Sequence, residues 1–252
     1  MKLQNKTILI TGASTGIGKE LAIQLAEKDN RLVLIARREN LLQQLIESLP
    51  KHPDGHLHFP CDVSDLKSVQ KICTNLIKQA IIFDVLILNA GIGGGFDVSN
   101  IDIKNFRKIF DINLFGTIYF LKHLLPPMIE RQTGLVSAVS SLAGYRGMPK
   151  SAPYSTSKAA LSTLMESLRI DLWNSGVKVS LISPGFVKTP MTDLNDYYMP
   201  FMIPVEKAAK IIIKGLEKEK TEIHFPYRLS LLVKLFKLLP NNFYAKMMQG
   251  RK

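Results

Sequence analysis

A doubly wound α/β domain, with one parallel sheet covered by helices on both faces, is the fold class this sequence predicts. Three observations predict it. Six short apolar runs, at 8–10, 32–36, 57–59, 85–88, 135–139 and 177–182, read mostly without alternation, as strands buried on both faces do. Between them lie helix-length segments with apolar residues three and four apart. A glycine-rich loop follows the first run at the place where such a sheet turns into its first helix.

Each element has its own signal. The spacing of Leu21, Leu25 and Lys28 predicts the first helix, and that of Leu41, Leu45 and Leu49 the second. Pro126-Pro127 is expected to interrupt a helix near its end. No linker rich in Pro, Gly or Ser and no internal repeat splits the 252 residues. A single domain over 1–225 is therefore expected, with residues 226–252 as a C-terminal extension.

Composition sets bounds on function. With 46% hydrophobic and 21% charged residues the chain can bury a sizeable core, which excludes disorder, collagen and coiled coil. Its longest apolar runs fall far short of the ~20 residues that cross a bilayer. Lys2 and Lys6 precede an apolar run too short for a secretory signal, so the mature chain is expected to begin here. Cys61 and Cys73 are too few for a disulfide scaffold or a zinc site and suit a reducing cytosol, so a cytoplasmic protein without a metal is expected. The net charge of +12 raises nucleic acid as a partner, but its distribution argues against one. Residues 206–252 hold eleven Lys/Arg against four Asp/Glu, with no interleaved aromatic-basic motif of the nucleic-acid kind.

The first strand runs into TGASTGIG, residues 11–18. Gly12 permits the turn out of the strand, Gly16 lets the backbone approach a pyrophosphate, and Gly18 lets the helix pack on the sheet. The helix then presents free N–H groups and a partial positive charge to the phosphates. The second strand ends at Ala36-Arg37-Arg38, without the carboxylate that accepts from a ribose 2′-hydroxyl. An arginine there can bind a 2′-phosphate, which favours NADP over NAD, with Arg37 carrying the selectivity and Ser14 and Arg38 assisting.

Tyr154 and Lys158 stand at i and i+4 at the start of a long helical segment, on one face. A cation beside the ring would stabilise a phenolate and bring the tyrosine toward neutrality as an acid/base group. Ser141 ends the fifth strand, at the sheet edge that lines the ligand crevice of this fold class, so it can meet Tyr154 over a cofactor.

At this point the sequence resembles the short-chain dehydrogenase/reductase family, in its shorter branch, over residues 7 to about 225. The resemblance rests on TGASTGIG, Asp62-Val63, Asn89-Ala90-Gly91, Asn113 in DINLFGT, Ser141 in SSLAG, Tyr154 to Lys158, and Pro184-Gly185 with Val187 and Thr189. It implies a Rossmann fold and a catalytic set of Asn113, Ser141, Tyr154 and Lys158. Tyr154 would be the general acid/base, Ser141 would bind the substrate carbonyl, Lys158 would also hold the nicotinamide ribose, and Asn113 would complete a water-mediated proton relay. The implied cofactor contacts are Gly12, Ser14, Thr15, Gly16, Ile17, Gly18, Arg37, Arg38, Asp62, Val63, Asn89, Ala90, Gly91, Tyr154, Lys158, Pro184, Gly185, Val187 and Thr189. Three positions depart from the pattern. Leu88 replaces the first Asn of NNAG, Ala138 stands where a strand Asn often precedes the serine, and Thr15 sits where many NADP-preferring members are basic.

The segment 187–204 falls where the family keeps its substrate loop. Met191, Leu194, Tyr197, Tyr198, Met199, Phe201 and Met202 make it apolar, without an arginine to clamp an acid. A hydrophobic ketone, aldehyde or alcohol is therefore the expected substrate. His52, His56, His58, His123 and His224 have no ligand spacing, and Gly93-Gly94-Gly95 reads as a loop at the pocket rim. In the extension, residues 229–239 read as a helix with Ser230, Lys234 and Lys237 on one stripe and Leu or Phe over most of the rest. It looks similar to tails of family members that work at membranes, and a peripheral membrane contact, a pocket cover and a dimer contact are all consistent with it. The resemblance also implies a homodimer or homotetramer through 104–131 and 154–174. An NADPH-dependent oxidoreductase is the leading reading, and a catalytically idle NADP-binding redox sensor on the same fold is the alternative.

Overall fold

The computed structural model describes residues 1–249. Seven strands, β1 (Thr7–Thr11), β2 (Arg31–Ala36), β3 (Leu57–Pro60), β4 (Val85–Leu88), β5 (Gly134–Val139), β6 (Val177–Pro184) and β7 (Glu222–Phe225), pair in parallel in the order β3-β2-β1-β4-β5-β6-β7. The order reverses between β1 and β4, and this switch point opens the ligand crevice at the carboxyl ends of the strands.

Helices cover both faces. On one lie α1 (Gly16–Ala26), α2 (Glu39–Ser48) and α7 (Val205–Glu217); on the other α3 (Leu66–Lys78), α5 (Gly116–Glu130) and α6 (Ala152–Asp171). Ile8 and Ile10 of β1 face the first layer while Leu9 faces the second, and Leu32 and Val33 of β2 divide in the same way. Both faces of each central strand need apolar side chains, which is why the runs show no alternation. Asp65 accepts from the N–H of Lys67 at the start of α3, and Asp102 from that of Asn105 at the start of α4 (Ile103–Phe110), so both helix starts are capped.

Several sequence expectations need correction. The seventh strand was not expected: β7 has four residues, Ile223 and Phe225 buried and Glu222 and His224 half-buried, too short an alternation at the sheet edge to stand out. Pro126 and Pro127 do not interrupt their helix, because α5 runs on to Glu130. Buried Leu124 and Met128 flank the prolines, and Arg131 donates to the Pro127 carbonyl from its backbone and from Nε, which holds the last turn. The first helix ends at Ala26, so Lys28 lies beyond it and pairs with Glu217 at 2.6 Å. The extension forms two helices, α8 (Tyr227–Leu238) and α9 (Asn241–Gln249), where one was expected. Pro240 forces the break, since the residue before a proline is driven to extended backbone and Leu239 has φ −69° and ψ 142°.

Candidate active site

The glycine loop is built by close approach. Gly12 has φ +67°, a conformation that side chains disfavour, and a Cβ there would stand 2.8 Å from the Ala90 Cα. A Cβ on Gly18 would collide with the Gly12 carbonyl oxygen and sit 2.6 Å from Asn89 Nδ2, so α1 and the loop touch backbone to backbone. Asn89 locks this corner: its backbone N–H donates to Thr11 Oγ1 at 3.0 Å and its amide to the Thr11 carbonyl at 3.0 Å. The Ala90 N–H also donates to Thr11 Oγ1. Thr15 stands at the helix start without a side-chain cap bond, Ile17 packs against the core, and Thr189 lies 3.3 Å from a Cβ placed on Gly16. The dipole and N–H groups of the first turn therefore remain available to an anion.

Arg38, not Arg37, reaches this loop. Its Nη2 donates to Ser14 Oγ and to Thr15 Oγ1, each at 3.0 Å, whereas Arg37 is exposed and carries no such bond. The reason lies in the path of the chain: β2 ends at Ala36, and Arg38 is the N-cap of α2, where the backbone turns back toward the loop. The missed signal is Thr15 itself, whose neutral hydroxyl can accept from a basic residue supplied by the neighbouring strand.

Asp62 and Val63 follow β3. Asp62 accepts from the Ser64 N–H and hydroxyl, at 3.0 and 2.7 Å, and Val63 is buried against Gly116. Pro184 ends β6, Gly185 donates its N–H to the Phe225 carbonyl, and Val187 bridges to Ile203.

The four residues named for catalysis gather at the ends of β4 and β5. Asn113 sits in a π-helical turn (Asp111–Phe115) between α4 and α5, a wider turn that rotates its side chain into the protein. There it is fully buried, its Oδ1 accepting from the Ile92 N–H at 2.8 Å and its Nδ2 donating to the Ile92 carbonyl and to Ser157 Oγ, both at 3.0 Å. Lys158 is 3% exposed, and its Nζ donates to the Val139 carbonyl at 2.7 Å and lies 5.8 Å from the Tyr154 ring centroid. Burial lowers its pKa to about 8. A Cβ on Gly91 would stand 3.2 Å from both Asn113 Oδ1 and Lys158 Nζ, so these two groups share one cradle with the NAG turn.

Burial pushes the Tyr154 hydroxyl above its ordinary pKa, the Ser141 side chain beside it acts in the opposite direction, and Tyr197 adds to the rise. Lys158 is expected to bring the tyrosine down; in the resting site burial dominates, while one N–H of the ammonium donates to the Val139 carbonyl and the charge stays 5.8 Å from the ring centroid. Ser141 begins the short 3₁₀ turn Leu142–Gly144, its Oγ accepting from the Ala143 N–H at 3.1 Å. Sequence reasoning missed the supports: the Ser157 hydroxyl, which accepts from Asn113, and the Ile92 and Val139 carbonyls. None carries a motif, because two are backbone groups and a single serine one turn from the tyrosine has no pattern of its own.

The family model described as short chain dehydrogenase matches residues 6–197. The chain belongs to the short-chain dehydrogenase/reductase family. A curated relative, an uncharacterized oxidoreductase of Myxococcus xanthus, is 37% identical over 243 residues, covering 96% of each protein. The chain is also similar to the dehydrogenase/reductase SDR family protein 7-like of Drosophila melanogaster, at 34% identity over 76% of this chain and 60% of that protein. Among solved structures, a short-chain dehydrogenase from Streptomyces avermitilis has the same fold, with a TM-score of 0.83 at 24% identity over 98% of this chain and 96% of that one. As a short-chain dehydrogenase/reductase the protein is an oxidoreductase, and the family acts on CH–OH and C=O groups. No helix among its described residues is long and apolar enough to cross a membrane.

Proposed function

We propose that this oxidoreductase uses NADP(H) to interconvert a hydrophobic ketone or aldehyde and its alcohol. The observation that carries the chemistry is the adjacency of the Tyr154 and Ser141 side chains over buried Lys158, in the crevice beside the glycine loop. The loop and crevice fit a dinucleotide: the first turn of α1 is uncapped, and Gly91 leaves open the volume between Asn113 Oδ1 and Lys158 Nζ. When bound, the nicotinamide supplies or accepts the hydride.

The chain's own groups do the rest. The Ser141 hydroxyl donates to the substrate oxygen and fixes it beside Tyr154, whose hydroxyl delivers the proton as the alcohol forms. The Lys158 charge stabilises the phenolate left behind and orients the ribose hydroxyls. Asn113, pinned by Ile92 and Ser157, holds the relay that restores the proton. Arg38, held by Ser14 and Thr15 where β2 offers no carboxylate, pairs with the 2′-phosphate. Gly12, Gly16, Gly18, Asn89, Ala90, Gly185 and Thr189 shape the walls, and the half-exposed apolar loop around Tyr197 selects hydrophobic substrates. Assembly into a homodimer or homotetramer would use 104–131 and 154–174, where Phe115, Ile170 and Trp173 are exposed.

The test is NADPH oxidation over a panel of carbonyl compounds of increasing apolar size, in the intact protein and in Tyr154→Phe. Turnover that rises with apolar size and vanishes in the variant is the expected result. Binding of NADPH with no turnover of any compound would favour the redox-sensing alternative.

A further inference from the structure

Helix α8 presents the wrong face to water for an ordinary surface helix. At 100° per residue, Tyr227, Leu231, Leu232, Leu235 and Leu238 fall on one arc, and that arc points outward. Leu238 is 81% exposed, Tyr227 70% and Leu235 53%, and Phe243 of α9 is 60% exposed. The rest of the helix is already engaged with the body, and by polar contacts as much as apolar ones. Ser230 is fully buried with its Oγ 2.6 Å from His224 Nδ1, Lys234 pairs with Glu222 at 2.9 Å, and Leu229 packs on Gly185. Arg146 donates to the carbonyls of Phe236 and Leu239 and stacks 4.2 Å over the Tyr244 ring. The leucine arc is therefore not an inner face awaiting the protein's own core.

We propose that the outward face of α8 docks the protein onto an anionic lipid surface. Charge selects this occupant. Residues 227–249 carry Arg228, Lys234, Lys237 and Lys246 and no Asp or Glu, and Arg251 and Lys252 follow in the sequence. A second copy meeting this face across a two-fold axis would set like charges against each other without a carboxylate on either helix to answer them. Lys234 is already paired with Glu222, and an anionic headgroup layer answers the exposed Arg228 and Lys237 while the leucines enter the acyl boundary. Twelve residues of helix extend only ~18 Å, which suits lying in the interface and not spanning it.

The placement also has a use. α8 leaves the carboxyl end of β7, and the substrate loop leaves that of the adjacent β6, so both arise from the edge where the crevice opens. Leu194 and Tyr198 of that loop are each 87% exposed. Docking through α8 would bring the pocket mouth beside the layer in which an apolar substrate dissolves. Binding itself does not depend on the proposed chemistry.

The experiment is sedimentation of the full chain with phosphatidylcholine vesicles, with and without phosphatidylglycerol, at low and high salt. Phosphatidylglycerol-dependent, salt-sensitive binding is expected. It should be lost in the triple variant Leu231→Glu/Leu235→Glu/Leu238→Glu, whose thermal melt and gel-filtration volume should match the parent. In Arg228→Glu/Lys237→Glu, which alters only exposed side chains, binding should weaken about fivefold or more for each charge lost. A parent protein that ignores the anionic vesicles at low salt overturns the proposal, as does a triple variant that still binds them. A triple variant that instead splits an oligomer assigns the face to a second copy.

Discussion

The ammonium of Lys158 donates to the carbonyl of Val139 at 2.7 Å, deep beside the Tyr154 ring. Its burial holds the folded-state pKa at about 8, below the ordinary 10.5. For a base depressed in this way, the unfolded chain binds the extra proton between those two values, so stability of the cofactor-free protein rises with pH across that window. Below about pH 8 the full cost of a buried cation is present. Lys158→Met is therefore expected to melt higher than the parent near neutrality, by an amount on the order of 1–3 kcal/mol, and the gap should close toward pH 10. Melts without cofactor at a series of pH values check this, and a gap independent of pH would contradict it.

Arg38 bridges Ser14 and Thr15, whereas Arg37, equally exposed, makes no bond to the loop. Losing one charge-assisted contact costs roughly ten- to a hundredfold in affinity. Arg38→Ala should weaken NADPH by about that factor and leave NADH nearly unchanged, and Arg37→Ala should do much less. Fluorescence titrations of both cofactors into both variants decide the matter, and an effect confined to Arg37→Ala would give the role to Arg37.

Tyr154→Phe keeps the ring over Lys158 and removes one hydroxyl. Turnover of the best carbonyl substrate should fall by about 10²-fold or more with NADPH affinity little changed. Retained turnover would show that the proton comes from elsewhere.

Gly18→Ala places a Cβ against the Gly12 carbonyl oxygen and Asn89 Nδ2, two partners with no free direction to move. The substitution should cost about 1–3 kcal/mol of stability and spread the loop, lowering affinity for either cofactor. Gly55→Ala meets no atom within 4 Å but sits at φ +66°, so it separates backbone strain from steric clash in the same melts.

Arg146→Ala removes the contacts that tie α8 and α9 to the loop after Ser141. Amide exchange in 227–249 should speed up while the central strands keep their protection. Deleting 226–252 outright should do more harm, because Leu229, Tyr244 and Met248 are buried.

The sequence by itself determined the alternating fold, the place of the glycine loop and the residue types of the candidate site. These follow from local rules: double-sided burial writes continuous apolar runs, and a phosphate-facing turn demands glycine at set positions. Tertiary structure alone decided which arginine reaches the loop, since Arg37 and Arg38 are equivalent until the backbone turn at the start of α2 aims them. It also decided that Asn113 is rotated inward by a π-helical turn, that an ammonium N–H of Lys158 donates to the Val139 carbonyl, and that Asp62 accepts from Ser64. The same holds for the tail. Periodicity marked a polar stripe on residues 229–239 with Leu or Phe over most of the rest, but which way the helix faces depended on Ser230 and Lys234 finding partners on the body and on Arg146 reaching its last carbonyls, an outcome set by contacts between elements far apart in the chain.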